Sequence, residues 1–251
     1  MSTPHALVTG ASRGIGAAIV EALVARGVRV SATARSMPDL QARWGVRDHV
    51  RFGPCDVTDE ASIDRAFTEA ETEFGPVAIL VNNAGAAETA PFLKTDAALL
   101  SRMLDLNVGG TFACARRALP GMKALERGRI VNIASTAGLA GAPYITAYAA
   151  AKHAVVGFTR ALARELAATS VTVNAVCPSF TDTDLIANSL DLISGKSGRS
   201  REDILAEMVR PNPQGRLIAP SEVADTVAWL ALDAGPSLTG QAIAIDGGET
   251  A

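Results

Sequence analysis

The sequence predicts an α/β protein built on a doubly wound parallel sheet of seven strands, in three layers (α/β/α) and one domain. Short β-branched runs alternate with longer helical stretches along the 251 residues, the pattern of strands joined by crossover helices. Residues 77–81 (Val-Ala-Ile-Leu-Val) are apolar throughout, which suits a strand covered on both faces. The length is ordinary for one such sheet and allows a full core.

The elements follow in order. Residues 6–9 form the first strand and residues 15–26 the helix after it, closed by Gly27. Residues 28–33 and 50–52 read as the second and third strands. Asp59 is the N-cap of a helix running to about Glu73, which Gly75-Pro76 stops. Beyond the apolar fourth strand, one long helical region is expected over residues 97–125. A strand at 129–134, a helix at 147–167 and a strand at 171–176 come next. Residues 181–214 are polar and carry Gly195, Gly198, Pro211 and Pro213, so this stretch reads as irregular. It follows the carboxyl end of a strand, where open α/β sheets bind ligands, and a substrate lid is expected at about residues 181–215. A helix at 221–232 and a strand at 241–245 complete the pattern.

A formal charge of −3 leaves no electrostatic footprint for nucleic acid. Cys55, Cys114 and Cys177 sit in apolar surroundings without metal-ligand spacing and read as reduced core thiols; no metal site is expected. Residues 1–5 are too short for a signal peptide, and no apolar run has the length of a membrane span, so the expectation is a cytoplasmic protein.

Gly10, Gly14 and Gly16 lie between the first strand and the first helix. Without side chains, the backbone can turn tightly and approach a pyrophosphate, which gains from the helix N-terminus. At the end of the second strand, where an acid would bind a ribose 2′-hydroxyl, stands Thr33-Ala34-Arg35-Ser36. Arg35 suits a 2′-phosphate, with Arg13 approaching from the glycine turn. Asp39, after Pro38, reads as a helix-start residue. NADP(H) is therefore expected over NAD(H), which is retained as the alternative.

Tyr148 and Lys152 are four residues apart, and on a helix they share a face. A neighbouring ammonium would lower the pKa of a phenol that by itself titrates about three units above neutrality. Ser135 could bind the same substrate oxygen from a nearby loop. These residues form a proton-transfer site.

From end to end the chain resembles the single-domain branch of the short-chain dehydrogenase/reductase family, with its Rossmann-type fold. Thr9-Gly10-Ala11-Ser12-Arg13-Gly14-Ile15-Gly16 matches the family's cofactor turn, Asp56-Val57 the pair that contacts adenine, and Asn82-Asn83-Ala84-Gly85 the motif after strand four. Asn107, Ser135, Tyr148 and Lys152 match the catalytic tetrad. Pro178 matches the proline opening the nicotinamide loop, to which Thr181 and Thr183 belong. The resemblance implies hydride transfer between nicotinamide and a carbonyl or alcohol carbon. Tyr148 would be general acid or base, and Ser135 would bind the substrate oxygen. Lys152 would bind the nicotinamide ribose, and Asn107 would hold a relay water. One departure stands out: the family's Pro-Gly is here Pro178-Ser179. A positive φ at that position would cost serine about 1 kcal/mol relative to glycine.

The substrate is less legible. The loop 139–145 is apolar, as are Leu185, Ile186, Leu190, Leu192 and Ile193, which suits a hydrophobic acyl or ring substrate. Lys196, Arg199 and Arg201 would meet phosphates of a coenzyme A or phosphopantetheine arm, or simply be solvated. The stretch 148–176 resembles 3-oxoacyl thioester reductases and polyketide ketoreductases. The leading expectation is thus reduction of a 3-oxoacyl thioester, on acyl-CoA or acyl carrier protein. The alternatives are a secondary-alcohol dehydrogenase or reductase of free or cyclic ketones, and a nucleotide-sensing protein without catalysis. Relatives of this kind assemble as homotetramers through their two long helices, and the same assembly is expected here.

Overall fold

The computed structural model describes residues 3–251, apart from the side chains of Leu185 and Lys196. Expectations resting on Met1, Ser2 and those two side chains lie outside the described residues. The strands are β1 (His5–Thr9), β2 (Arg29–Ala34), β3 (Val50–Pro54), β4 (Ile79–Asn82), β5 (Gly128–Ile133), β6 (Val171–Pro178) and β7 (Ala242–Ile245). They form one parallel sheet in the order β3-β2-β1-β4-β5-β6-β7. The winding reverses between β1 and β4, which opens a crevice at their carboxyl ends.

Alternation along each strand divides the apolar core between the two faces. Ala6 and Val8 of β1 pack on the side of α1 (Gly14–Ala25) and α9 (Pro220–Leu232), with Ile19, Leu23, Val223 and Val227. Leu7, Leu80 and Ile130 face α3 (Glu60–Phe74) and α5 (Gly110–Lys123), where they meet Phe67, Ala115 and Met122. Phe67 is fully buried, a contribution of about 1.5–3 kcal/mol. The predicted stops hold: Gly27 and Gly75 end α1 and α3 with φ of 77° and 80°, and Asp59 caps α3 by accepting from Ala61 N at 3.0 Å.

Three regions differ from expectation. A helix, α2 (Met37–Trp44), stands between β2 and β3, capped by Ser36, with Asp39 in its first turn as anticipated. Its Leu40 and Trp44, one turn apart, are buried, and the Trp44 indole N–H donates to Ala11 O at 3.1 Å, bracing the glycine turn from outside. The long helix expected over 97–125 is interrupted. α4 (Ala97–Leu104) passes through a π turn at Asp105–Gly109 before α5 begins. Gly110 follows, and a Cβ there would come within 2.7 Å of Val57, so the widened turn is pressed against the loop after β3.

The polar stretch after β6 is not irregular but contains α7 (Asp184–Ser197) and α8 (Arg201–Val209), joined through Gly198 at φ 69°. Ile186, Leu190 and Ile204 are buried between them against Leu205, Met208 and Leu217, and this apolar face outweighs the polar composition. The remaining long helix is α6 (Thr146–Glu165). None of the described helices is long and apolar enough to cross a membrane.

At the opposite end of the sheet from the crevice, His5 is buried, with Nδ1 2.7 Å from Gly75 O and Nε2 2.9 Å from Ser31 Oγ. Burial pushes its pKa below the ordinary 6.5, against the opposing pull of the Gly75 carbonyl. The fold therefore keeps the imidazole neutral while the unfolded chain takes up a proton below about 6.5. This contribution to stability is complete above pH 6.5 and is lost as the pH falls through the folded-state value. Thermal melts followed by circular dichroism from pH 7.5 to 5.5 should show a falling midpoint. A His5→Asn variant, less stable at pH 7.5, should show a shallower fall; equal slopes would remove His5 as the cause.

Candidate active site

The glycine turn is closed by β4. Asn83 donates through Nδ2 to Thr9 O (2.9 Å) and Gly10 O (3.1 Å), while the Asn83 and Ala84 backbone N–H groups both donate to Thr9 Oγ1 at 3.0 Å. Gly10 has φ 66°, and a Cβ there would lie 2.9 Å from Ala84 Cα; at Gly16 it would press on Gly10 O and lie 2.5 Å from Asn83 Nδ2. Both positions admit only glycine. Ile15 packs against the core and Ser12 lies half-buried in the turn. Arg13 precedes α1 in extended conformation and makes no side-chain cap, so the first-turn N–H groups face the crevice without a side-chain partner.

Arg35, at the end of β2, and Arg13 are exposed, and neither forms an ion pair among the described residues. Asp56 accepts from Thr58 N (2.9 Å) and Thr58 Oγ1 (2.7 Å), which hold its carboxyl below the usual range, with a smaller pull from Arg35. Val57 is buried under Gly110. These residues form a continuous rim along the carboxyl ends of β2, β3, β1 and β4. The glycine cradle, the free helix end and the unpaired arginines suit a dinucleotide phosphate.

The second half of the site lies beyond β4. Asn107 occupies the π turn, where its Nδ2 donates to Ala86 O and Met103 O, both at 3.0 Å. Its Oδ1 is buried without a partner, and a Cβ on Gly85 would sit 2.6 Å from that oxygen and 3.6 Å from Lys152 Nζ. The Asn107 oxygen and the Lys152 ammonium thus bracket one small polar space, as a relay water would require.

Lys152, on α6, is buried and donates from Nζ to Ile133 O at 2.9 Å. Its Nζ lies 5.7 Å from the Tyr148 ring centroid, so the predicted shared face is present. Ser135, two residues beyond β5, is extended and caps the turn Thr136–Gly138, its Oγ accepting from Ala137 N at 3.1 Å.

The electrostatics depart from expectation at the phenol. Burial pushes the Tyr148 pKa up, and an opposing hydrogen bond with Ser135 only partly offsets it. The same burial pushes Lys152 itself down to about 8. Desolvation outweighs the neighbour expected to act on the tyrosine.

Pro178 ends β6, and beyond it Ser179 N donates to Ile245 O at 3.1 Å. Ser179 does not adopt positive φ, so the strain considered for a non-glycine residue is absent. Thr181 Oγ1 donates to Ser179 O (2.9 Å) and Thr183 Oγ1 to Thr181 O (3.2 Å). A Cβ on Gly14 would meet the Thr183 methyl at 3.2 Å, so the loop after β6 reaches over the glycine turn.

The lid arginines are engaged elsewhere. Arg199 pairs with Glu207 at 2.7 Å, tying the connection to α8, and Arg201 pairs with Asp191, joining α8 to α7.

Sequence reasoning missed the supports beneath these side chains. Asn82 Nδ2 donates to Asn132 Oδ1 and Asn132 Nδ2 to Thr159 Oγ1, both at 2.9 Å, while Thr111 Oγ1 donates to Asn107 O at 2.8 Å. A buried polar ladder therefore ties β4, β5, α5 and α6 together below the site. Its one visible signal is an asparagine inside the apolar run Ile130-Val131-Asn132-Ile133. Gly138 was also missed: a Cβ there would lie 2.7 Å from Lys152 O, so only glycine brings the Ser135 turn against α6.

Known proteins share this arrangement. The short chain dehydrogenase family pattern matches residues 4–191. The fold superposes on a crystal structure of an actinorhodin polyketide ketoreductase variant with NADPH. The TM-score is 0.92 and the identity 36%, covering 100% of this chain and 99% of that one. The 3-oxoacyl-acyl-carrier-protein reductase of Escherichia coli is 37% identical over 247 residues, 97% of this chain and 96% of that protein. The cis-4-hydroxycyclohexanecarboxylate dehydrogenase of Sinomonas cyclohexanicum is 38% identical over 250 residues, 98% of this chain and 96% of that protein. The chain belongs to the short-chain dehydrogenase family and is an NAD(P)-dependent oxidoreductase acting on CH–OH groups.

Proposed function

We propose that this enzyme is an NADPH-dependent carbonyl reductase whose substrate is a 3-oxoacyl thioester, carried on coenzyme A or an acyl carrier protein. The observation that carries the reaction is the convergence of Ser135, Tyr148 and Lys152 beside the polar space bounded by Asn107 and Gly85. Nicotinamide, when bound, supplies the hydride. Tyr148 donates its phenolic proton to the carbonyl oxygen as hydride arrives. Ser135 holds the same oxygen and stabilises the charge that develops on it.

Lys152 binds the ribose hydroxyls and, with Asn107, passes a proton from solvent toward the phenol. Gly10, Ser12, Arg13, Gly14, Ile15 and Gly16 form the pyrophosphate cradle, and Asp56, Val57, Asn83, Ala84 and Gly85 line the adenosine and ribose. Pro178, Thr181 and Thr183 hold the nicotinamide end. The thioester reading is supported by the carrier-linked acyl substrate named for the E. coli relative and by the polyketide ketoreductase likeness.

A second substrate class has an observation of its own. Arg199 and Arg201 are already paired, while Tyr144, Leu192 and Ile193 expose apolar surface on segments that follow β5 and β6. An apolar free ketone, including a cyclic one, needs no phosphate contact and would suit that surface. NADPH oxidation measured against acetoacetyl thioesters, free β-keto esters and cyclic ketones separates the two. Thioesters should give the highest kcat/KM, and preference for a cyclic ketone would move the assignment. On the best substrate, Tyr148→Phe should lose at least about a hundredfold in kcat, and near-normal turnover would sink the catalytic assignment.

The preference for NADPH rests on Arg35 after β2, with Arg13 in the glycine turn, both exposed. Arg35→Ala should raise KM for NADPH about tenfold and leave the NADH reaction nearly unchanged. A wild-type enzyme with higher kcat/KM for NADH would overturn the preference.

Assembly as a homotetramer is supported by Phe112 of α5, which is 51% exposed and lies 5.7 Å from Phe158 of α6, an aromatic pair on the helices that pack in such assemblies. Light scattering at micromolar protein should return four times the 25.9 kDa chain mass; a monomer mass would count against it.

A further inference from the structure

The loop that carries Pro178, Thr181 and Thr183 is tied to the chain's C-terminal turn by a bond that glycine could not make. Ser179 Oγ donates to the Glu249 carboxylate. Both residues are half-buried, and the bond spans 70 positions of sequence.

The turn bearing Glu249 is itself built. The Asp246 carboxylate accepts from Gly248 N (2.9 Å), Thr250 N (2.9 Å) and Thr250 Oγ1 (2.6 Å). Gly247, at φ 65°, is pressed so closely on Asn212 that a side chain there would collide with it, and a Cβ on Gly248 would meet Pro213 at 3.6 Å. Asn212 is fixed in turn by donating to Arg216 O at 3.0 Å and accepting from Gln214 N at 2.8 Å. Glu249 is therefore presented from a rigid corner.

From Ser179 the connection continues inward. Its carbonyl accepts from Thr181 Oγ1, the Thr181 carbonyl accepts from Thr183 Oγ1, and the Thr183 methyl rests on Gly14. The backbone is held from the other side, since Ile218 N donates to Phe180 O and Asp182 N to Ile218 O, both at 2.9 Å. A single chain of contacts thus leads from the C-terminal turn to the glycine turn.

We propose that Glu249 and Ser179 form a positioning pair that sets residues 178–183 in the geometry that receives the nicotinamide end of the cofactor. The idea rests on the cofactor site proposed above. Glycine at 179 would keep the backbone bond to Ile245 O but lose the tie to the C-terminal turn, where serine adds a charge-assisted bond to the Glu249 carboxylate. The pair touches no reacting atom, so its effect belongs in cofactor binding rather than in the proton transfer.

The test is a double-variant cycle read by fluorescence titration of NADPH, with KM and kcat measured alongside and folding followed by circular dichroism. Glu249→Ala and Ser179→Ala should each raise the NADPH Kd about tenfold while changing kcat at saturating NADPH less than about twofold. The doubly substituted enzyme should bind no worse than either single variant, because both remove the same bond. Glu249→Gln should stay within about threefold of wild type, since the amide oxygen accepts the same hydrogen bond.

Unchanged NADPH affinity in either alanine variant, or effects that multiply in the double variant, would overturn the pair. Should Glu249→Ala fail to fold, Ser179→Ala reads the bond from its other end without touching the turn, and wild-type affinity there decides against the proposal. Failure of the wild-type enzyme to bind NADPH would sink the cofactor site itself, whereas tight wild-type binding with unmoved variants sinks only the pair, so the two failures are distinguishable.

Discussion

The structure depends on how closely β1 and β4 approach at their carboxyl ends. Asn83 bonds to the carbonyls of Thr9 and Gly10, and Thr9 Oγ1 receives two backbone N–H groups in return. That contact leaves no room for side chains at Gly10 or Gly16, which fixes the turn and aims the N-terminus of α1 into the crevice. It also sets the path of residues 83–86, and hence the distance from Gly85 to Asn107 and Lys152. Cofactor cradle and proton site are thus positioned by the same few hydrogen bonds.

Placing a lysine and several amides in that interior is costly, because each buried polar group must be paired. The Asn82–Asn132–Thr159 ladder meets most of the requirement, and its members hold fixed positions between sheet and helices. The π turn has the same logic. An uninterrupted α-helix would keep its ordinary backbone pairing through residue 107, whereas the wider turn lets Asn107 bond to Ala86 and Met103 and leaves one acceptor unpartnered. Asn82 Oδ1 and Arg129 Nε are also buried without a partner, but the Asn107 oxygen faces the space beside Gly85 and Lys152, where a water or ligand atom would satisfy it.

Much of this was legible in the chain itself. The seven strands, the glycine turn and the Tyr148–Lys152 pair could be read because strand periodicity, backbone geometry and a shared helix face dictate those residue types at those spacings, whereas Asn83 and Asn107 came only through the family resemblance. α2 escaped because eight residues with only Leu40 and Trp44 facing inward leave a weak period. The π turn escaped because Gly110 and Val57 meet only in three dimensions. α7 and α8 were hidden by serines, aspartates and glycines on their wet faces, although Ile186, Leu190 and Ile204 keep helical spacing. The partners of Arg199 and Arg201 could not be foreseen, since one pair runs from the connection onto α8 and the other from α8 back to α7.

The sign of the tyrosine shift is the most instructive miss, because it bears on direction. Two residues at i and i+4 guarantee proximity, but proximity fixes only one contribution to a pKa, and burial is a property of the whole fold. Here burial acts on both partners. It raises the phenol and lowers the ammonium to about 8, so the folded chain disfavours charge on either group. A phenol that retains its proton is suited to donating it to a carbonyl oxygen. Removing a proton from an alcohol would first require the phenolate, and a positive charge brought in beside it would stabilise that form.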